Sequence, residues 1–269
     1  MPFGTEIQGD IMKKNIFTAA LFLFGVFIFC CGYNLNAQDK KPAFSINSGV
    51  YNSDKKVSIA FNEKGAKIFY TIDGTEPTEK SLQYLGPFTL NKTTKVKAAA
   101  ISKNKKSGIS TLEFTRLENI ASIELKSLPP RQYKINNIFE VLDGKPGSSD
   151  FKDKSWLAAE GVDLEVIITF NQHTALSGVE LNCLQNTEEG IYFPAGIEIY
   201  ITPDGKSYFT AGYVTGDQLA DNEKTKVRNF DIPTKTAVTK GVKIIAKNGK
   251  MQQGEGKIGK VFINKIKLK

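Results

Sequence analysis

The 269 residues are 41% hydrophobic and 24% charged, ordinary values for a globular chain with length enough for two domains, and they exclude global disorder. The formal charge is +8, yet only three of the 36 basic residues are arginines, Arg116, Arg131 and Arg228, and the lysines are scattered without a sustained run. Base readout leans on arginine forks, so the charge reads as a solvated lysine surface and no nucleic-acid partner is expected.

Lys13 and Lys14 precede an almost wholly apolar stretch from Ile16 to Cys31. At about 16 residues it falls short of the ~20 that span a bilayer as a helix. Asn34-Leu35-Asn36-Ala37-Gln38 follows, with the small Ala37 at the expected cut. This order is that of an export signal over residues 1–37, with Met12 as the natural start. Phe27, Ile28 and Phe29 are bulky where lipidation of Cys30 or Cys31 would need small neighbours. The expected mature chain begins near Gln38, has no stable membrane span, and lies in the periplasm, at the cell surface or outside a Gram-negative bacterium. It keeps one cysteine, Cys183, in the alternating run Val179-Glu180-Leu181-Asn182-Cys183-Leu184. One cysteine permits neither an internal disulfide nor a thiolate metal cluster.

Beyond Lys41 the patterning has period two, as in half-buried strands. Val57-Ser58-Ile59-Ala60-Phe61, Lys67-Ile68-Phe69-Tyr70-Thr71-Ile72 and Lys95-Val96-Lys97-Ala98 come first. A break is expected between Leu117 and Pro130, because Pro129-Pro130 cannot lie in a central strand. Strand patterns resume at Leu164–Phe170, Ile197–Ile201, Gly241–Ala246 and Lys260–Leu268. Asn171-Gln172-His173-Thr174 reads as a polar turn after a strand. Asp204-Gly205, between Ile199-Tyr200-Ile201 and Tyr208-Phe209, is a hairpin signature. Short strands at this spacing predict an all-β protein of sandwich type.

The constellations of hydrolytic chemistry are weak. The one histidine, His173, sits in the polar turn, and Glu188-Glu189 is an acidic pair in a loop. Consecutive carboxylates in a loop rarely hold the spacing that glycoside hydrolysis requires. Gly254-Glu255-Gly256-Lys257 lacks the strand-to-helix context of a phosphate loop.

Two sets of motifs carry a resemblance. The first is Ile68-Phe69-Tyr70-Thr71-Ile72-Asp73-Gly74-Thr75-Glu76-Pro77-Thr78, followed by Ser81, Tyr84, Gly86-Pro87-Phe88 and Lys95-Val96-Lys97-Ala98. Over residues 42–117 it resembles the chitobiase/β-hexosaminidase C-terminal domain, an immunoglobulin-like sandwich. The resemblance implies that Asp73-Gly74 turns the chain and that Tyr70 and Phe88 help fill the core. The second set is Leu142-Asp143-Gly144, Gly147-Ser148, Ser155-Trp156-Leu157, Glu160–Glu165, Leu184-Gln185-Asn186, Ile191–Pro194, Thr202–Lys206, Ala246-Lys247-Asn248 and Gly259-Lys260. Over residues 120–269 their order resembles a discoidin-like (coagulation factor 5/8 type C) jelly roll of the galactose-binding type, as at the tail of bacterial family 20 β-N-acetylhexosaminidases. Those enzymes work through an Asp-Glu pair, and no Asp-Glu dipeptide occurs in this sequence.

The expectation is therefore a non-catalytic, exported protein that binds glycans containing N-acetylhexosamine or galactose. The alternatives are a scaffold that contacts other proteins and a split remnant of a hexosaminidase. Sugars present apolar faces to aromatic rings, and polar neighbours read their hydroxyls. In the family two loops meet at one end of the jelly roll, which points to Phe151, Trp156 and Tyr192 for stacking and to Asp150, Asn186 and Lys247 for hydrogen bonds. Trp156 reads first as a core residue under its loop, which leaves Phe151 and Tyr192 as the better stacking candidates. The family also often holds a structural Ca²⁺. The resemblance places Asp143 and Ser148 around it with the carbonyls of Glu140 and Lys145, and Lys265 stands where a carboxylate would complete the cage. An ammonium offers a cation no oxygen. Weak or absent Ca²⁺ binding is expected; Lys265 either points to solvent or takes the place of the ion and pairs with Asp143, and a register one residue different in the last strand would turn it to the other face; no other cofactor is implied.

Overall fold

A computed structural model describes residues 40–103, 105–133, 135–215, 223–249 and 258–269. The expected export signal and the Gly254–Lys257 loop lie outside the described residues. Within them the regular structure consists of β-strands and short 3₁₀ turns, with no α-helix. Among the described residues no helix is long and apolar enough to cross a membrane.

The first ten strands are β1 (Ala43–Phe44), β2 (Gly49–Tyr51), β3 (Lys55–Val57), β4 (Ile59–Ala60), β5 (Lys67–Thr71), β6 (Leu82–Gln83), β7 (Phe88–Leu90), β8 (Thr94–Ser102), β9 (Lys105–Lys106) and β10 (Ser110–Arg116). The main sheet runs β2-β10-β8-β5-β6, and β3 pairs with β7 in a second, smaller sheet. Val57 and Leu90 from the small sheet pack with Val96, Leu112 and Phe114 from the large one, so one core joins the two as a sandwich. Tyr70 and Phe88 stack at 4.7 Å against this core. At the turn after β5, Asp73 Oδ1 accepts the Thr75 N–H at 3.0 Å. Gly74 has φ +79°, a conformation open to glycine and strained for other residues.

The remaining strands are β11 (Ile120–Leu125), β12 (Leu157–Glu160), β13 (Leu164–Asn186), β14 (Gly196–Thr202), β15 (Phe209–Thr215), β16 (Thr225–Lys247) and β17 (Lys260–Leu268). The interval from Leu117 to Pro130, read as a break, holds β11, which pairs with β13. Asn171-Gln172-His173 does not turn the chain. It lies within β13, at a register shift between Thr169 and Thr174 where the strand changes partners. Before that point β13 pairs with β11 and the second half of β16, which continues to β14 and β15. After it, β13 pairs with β17 and the first half of β16, and β12 lies beyond β17.

The two 23-residue strands thus feed both layers of a second sandwich. Val166, Ile168, Ile199, Val242 and Ile244 from one layer share a core with Leu157, Leu181, Cys183 and Ile263 from the other. Cys183 is fully buried, and burial pushes its thiol pKa up. The all-β class of the period-two patterning, one sandwich followed by a second, is the one observed.

The sandwiches meet through named contacts. Asn137 Nδ2 donates to Val50 O at 2.7 Å while Asn137 Oδ1 accepts the Phe139 N–H, capping the 3₁₀ turn Ile138–Leu142. Asn52 Nδ2 donates to Ala121 O at 2.8 Å.

Candidate functional site

Alternation sends Ala158, Leu184 and Phe262 to the outer face of their layer, because their neighbours Leu157, Cys183, Val261 and Ile263 face the core. The chain between β11 and β12 folds over that outer face. Tyr133 and Trp156 cover it, with Ile191 completing the cluster and Phe151 packed at its edge. Trp156 is 1% exposed, and its Nε1 donates to Asp150 O at 3.2 Å. It is a core residue of the loop, which corrects its assignment as a stacking ring: no face is left for a ligand.

Phe151 is half-buried. Its ring meets Tyr133 edge-on at 6.3 Å, and Lys152 Nζ stands 5.4 Å from its centroid. Tyr192 is also half-buried, and its N–H donates to Lys260 O. Asp150 is exposed, and its Oδ1 accepts the Lys152 N–H at 2.9 Å. Asn186 caps the 3₁₀ turn Thr187–Glu189 and pairs with Ile191. The fold therefore brings the Asp150–Trp156 loop and the Asn186–Tyr192 loop to one cluster. Lys247 is held elsewhere: its Nζ lies 3.2 Å from Asp163 Oδ2 and 3.4 Å from Glu198 Oε2.

The loop expected to hold Ca²⁺ satisfies itself. The Asp143 N–H bonds Glu140 O, and Asp143 Oδ1 accepts the Lys145 N–H at 2.7 Å. Ser148 Oγ donates to Asp153 Oδ2 at 3.2 Å. Among the described residues no three histidine, cysteine or carboxylate side chains are grouped to hold a metal ion. Glu140, Asp143 and Lys145 instead line a cavity of about 300 Å³ against Ser48, Gly49, Val50, Glu113 and Thr115 of the first sandwich. Burial, and then the neighbouring Asp143, push the Glu140 carboxyl above its usual range.

Lys265 does not pair with Asp143. Its Nζ lies 3.5 Å from Glu180 Oε1, and its side chain is 14% exposed. The cause is a register shift: Asn182 pairs with Lys265 and Cys183 with Ile263, which leaves Asn264 as the extra residue. Asn264 is the residue that faces the loop, with its Nδ2 donating to Ser155 O at 3.0 Å.

The outer face of the other layer carries a group that the sequence reading passed over. Ile199, Val166, Ile168, Val242 and Ile244 are fully buried, so Glu198, Tyr200, Glu165, Ile167, Lys243 and Ile245 face outward. Lys243 is paired with Tyr200 on one side and Ile167 on the other. Its Nζ stands 4.8 Å from the centroids of both Tyr200 and Tyr208. Tyr200 donates its hydroxyl to Glu198 Oε2 at 2.8 Å. The alternation Ile197-Glu198-Ile199-Tyr200-Ile201, already taken as a strand, was the signal that could have found Glu198 and Tyr200. His173 is exposed, and its Nε2 lies 3.0 Å from Pro203 O.

Residues 46–111 match the chitobiase/beta-hexosaminidase C-terminal domain. The matched span begins just after β1 and runs into β10. An endoglucanase of Clostridium saccharobutylicum is 33% identical over 81 residues, which are 29% of this chain and 17% of the endoglucanase. Among solved structures, the C-terminal domain of a Bacteroides fragilis chitobiase shares 14% identity at a TM-score of 0.35, covering 56% of this chain and 91% of that one. A Clostridium perfringens CBM32 module in complex with GalNAc-β-1,3-galactose shares 10% identity at a TM-score of 0.36, covering 55% of this chain and 93% of that one.

Proposed function

We propose that this chain is an exported, non-catalytic carbohydrate-binding protein that recognises N-acetylhexosamine- or galactose-containing glycans. The match of residues 46–111 to a module named from chitobiase and β-hexosaminidase carries the reading. The geometry suits it. Two loops converge on an apolar cluster that fixes them, with Phe151 and Tyr192 half-exposed and the carboxylate of Asp150 open to solvent. Rings pre-positioned on a packed base lose little freedom on binding a sugar face. Phe151 and Tyr192 supply the stacking surface, and Asp150 and Asn186 the hydrogen bonds. Trp156 acts beneath them as a support.

A glycan array followed by titration calorimetry tests this. Phe151→Ala and Tyr192→Ala should each weaken the best glycan about tenfold, with His173→Ala unchanged. Wild-type affinity in both ring variants would remove the loops from the site.

A further inference from the structure

The outer face of the β11–β13–β16–β14 layer holds a cation that forms no ion pair with any of the described residues. Lys243 Nζ rests between the rings of Tyr200 and Tyr208, 4.8 Å from each centroid. Among the described residues no carboxylate stands within 4.0 Å of it. The nearby acids are engaged in part: Glu198 with Tyr200 and Lys247, and Glu124 with Lys126. Glu165 lies on the next row, where its field acts on Lys126 and Tyr208.

A lysine ammonium has three donors and no acceptor. Two ring faces attract it through their quadrupoles but accept no strong hydrogen bond. They fix its place and leave N–H groups for an anion. Ile167, its neighbour across the strand, is half-buried and outward-facing, and Ile245 lies on the next row. They supply the apolar part of this face, against which the C–H side of a sugar ring can pack. Tyr213, 69% exposed, extends the face past Glu198. The net charge of +8 favours the approach of an anionic chain.

We infer that Tyr200, Lys243 and Tyr208 form a second saccharide subsite, which takes the carboxylate of a hexuronate unit in an anionic glycan. The inference rests on the carbohydrate-binding reading, but places this unit on a sheet face and not at the loops.

Calorimetry of the full chain against hexagalacturonate, against its methyl ester and against a neutral N-acetylglucosamine oligomer tests it. Hexagalacturonate should bind, the methyl ester should not, and Lys243→Met should weaken binding by about tenfold or more. Lys243→Arg should retain it, and His173→Ala, at an exposed residue outside both sites, should leave it unchanged. No binding of hexagalacturonate, equal binding of its ester, or an unaffected Lys243→Met protein overturns the inference. A neutral oligomer that binds and is lost with Phe151→Ala, while the uronate does not bind, overturns the inference and spares the proposed function. The converse result spares the subsite and overturns the loop assignment. A dimer in sedimentation that Lys243→Glu dissociates would reassign the face to a contact between copies and also overturn it. The ester comparison uses the wild-type protein, so it decides the matter even if a variant folds poorly.

Discussion

A β-carbon built on Gly147 would lie 2.3 Å from Cζ2 of Trp156 and 2.9 Å from Cβ of Asn264. The indole is therefore seated against bare backbone. Gly147→Ala should destabilise the protein by about 1–3 kcal/mol through overpacking. Trp156→Ala, which empties the seat, should cost about 3–5 kcal/mol. Urea denaturation reads both, and a Trp156→Ala protein of unchanged stability would contradict the core assignment. The sequence placed Trp156 in a loop correctly but could not tell a ring that covers a sheet from one that faces solvent. That difference depends on Ala158, Leu184 and Phe262 lying on the outer face of a layer, which no local pattern states. Asp204 was legible: its hairpin forms as read. Hydrogen bonds from the Ser207 and Lys206 backbone hold its carboxyl down at about 2. A depressed pKa contributes stability above the unfolded value of ~3.9 that is lost as pH falls through about 2. The Asp204 carboxyl should titrate by NMR near 2, and a midpoint near 4 would show that the turn bonds are not made.

The strands were visible from alternation, but their continuity was not. Asn171-Gln172-His173 has the composition of a turn, yet β13 passes through it and exchanges one set of partners for another. Register was the second point that alternation left open. The single extra residue at Asn264 moves Lys265 beside Glu180 and away from Asp143, and a slip of one residue changes the face of every side chain beyond it. Glu180 now joins β13 to β17. Burial tends to raise its pKa, but the ammonium groups of Lys269 and Lys265 outweigh burial and hold it below the usual carboxylate range. Its contribution to stability is present above the unfolded pKa of ~4.3 and fades as pH falls through the lower folded value. Glu180→Gln should flatten the acid limb of a melting-temperature profile. A variant whose profile matches the wild type below pH 4 would show that the cluster contributes nothing.

The two sandwiches touch through side-chain amides and a polar cavity. Asn137 is the central bolt, since it caps its own 3₁₀ turn and donates to Val50 O. Asn137→Ala should cost about 1 kcal/mol and speed proteolysis of the 126–137 segment. An unchanged cleavage pattern would mean that the junction is held by other contacts. None of this was legible beforehand, because a contact between residues 87 positions apart leaves no trace in local composition. The carbohydrate assignment belongs to the whole molecule, and calorimetric titration of the full chain with N-acetylglucosamine- and galactose-containing oligosaccharides tests it most directly. The account predicts saturable heat for at least one of them in the wild-type protein, weakened about tenfold by Phe151→Ala or Tyr192→Ala. No heat with any of them, from a chain that melts cooperatively, would contradict it.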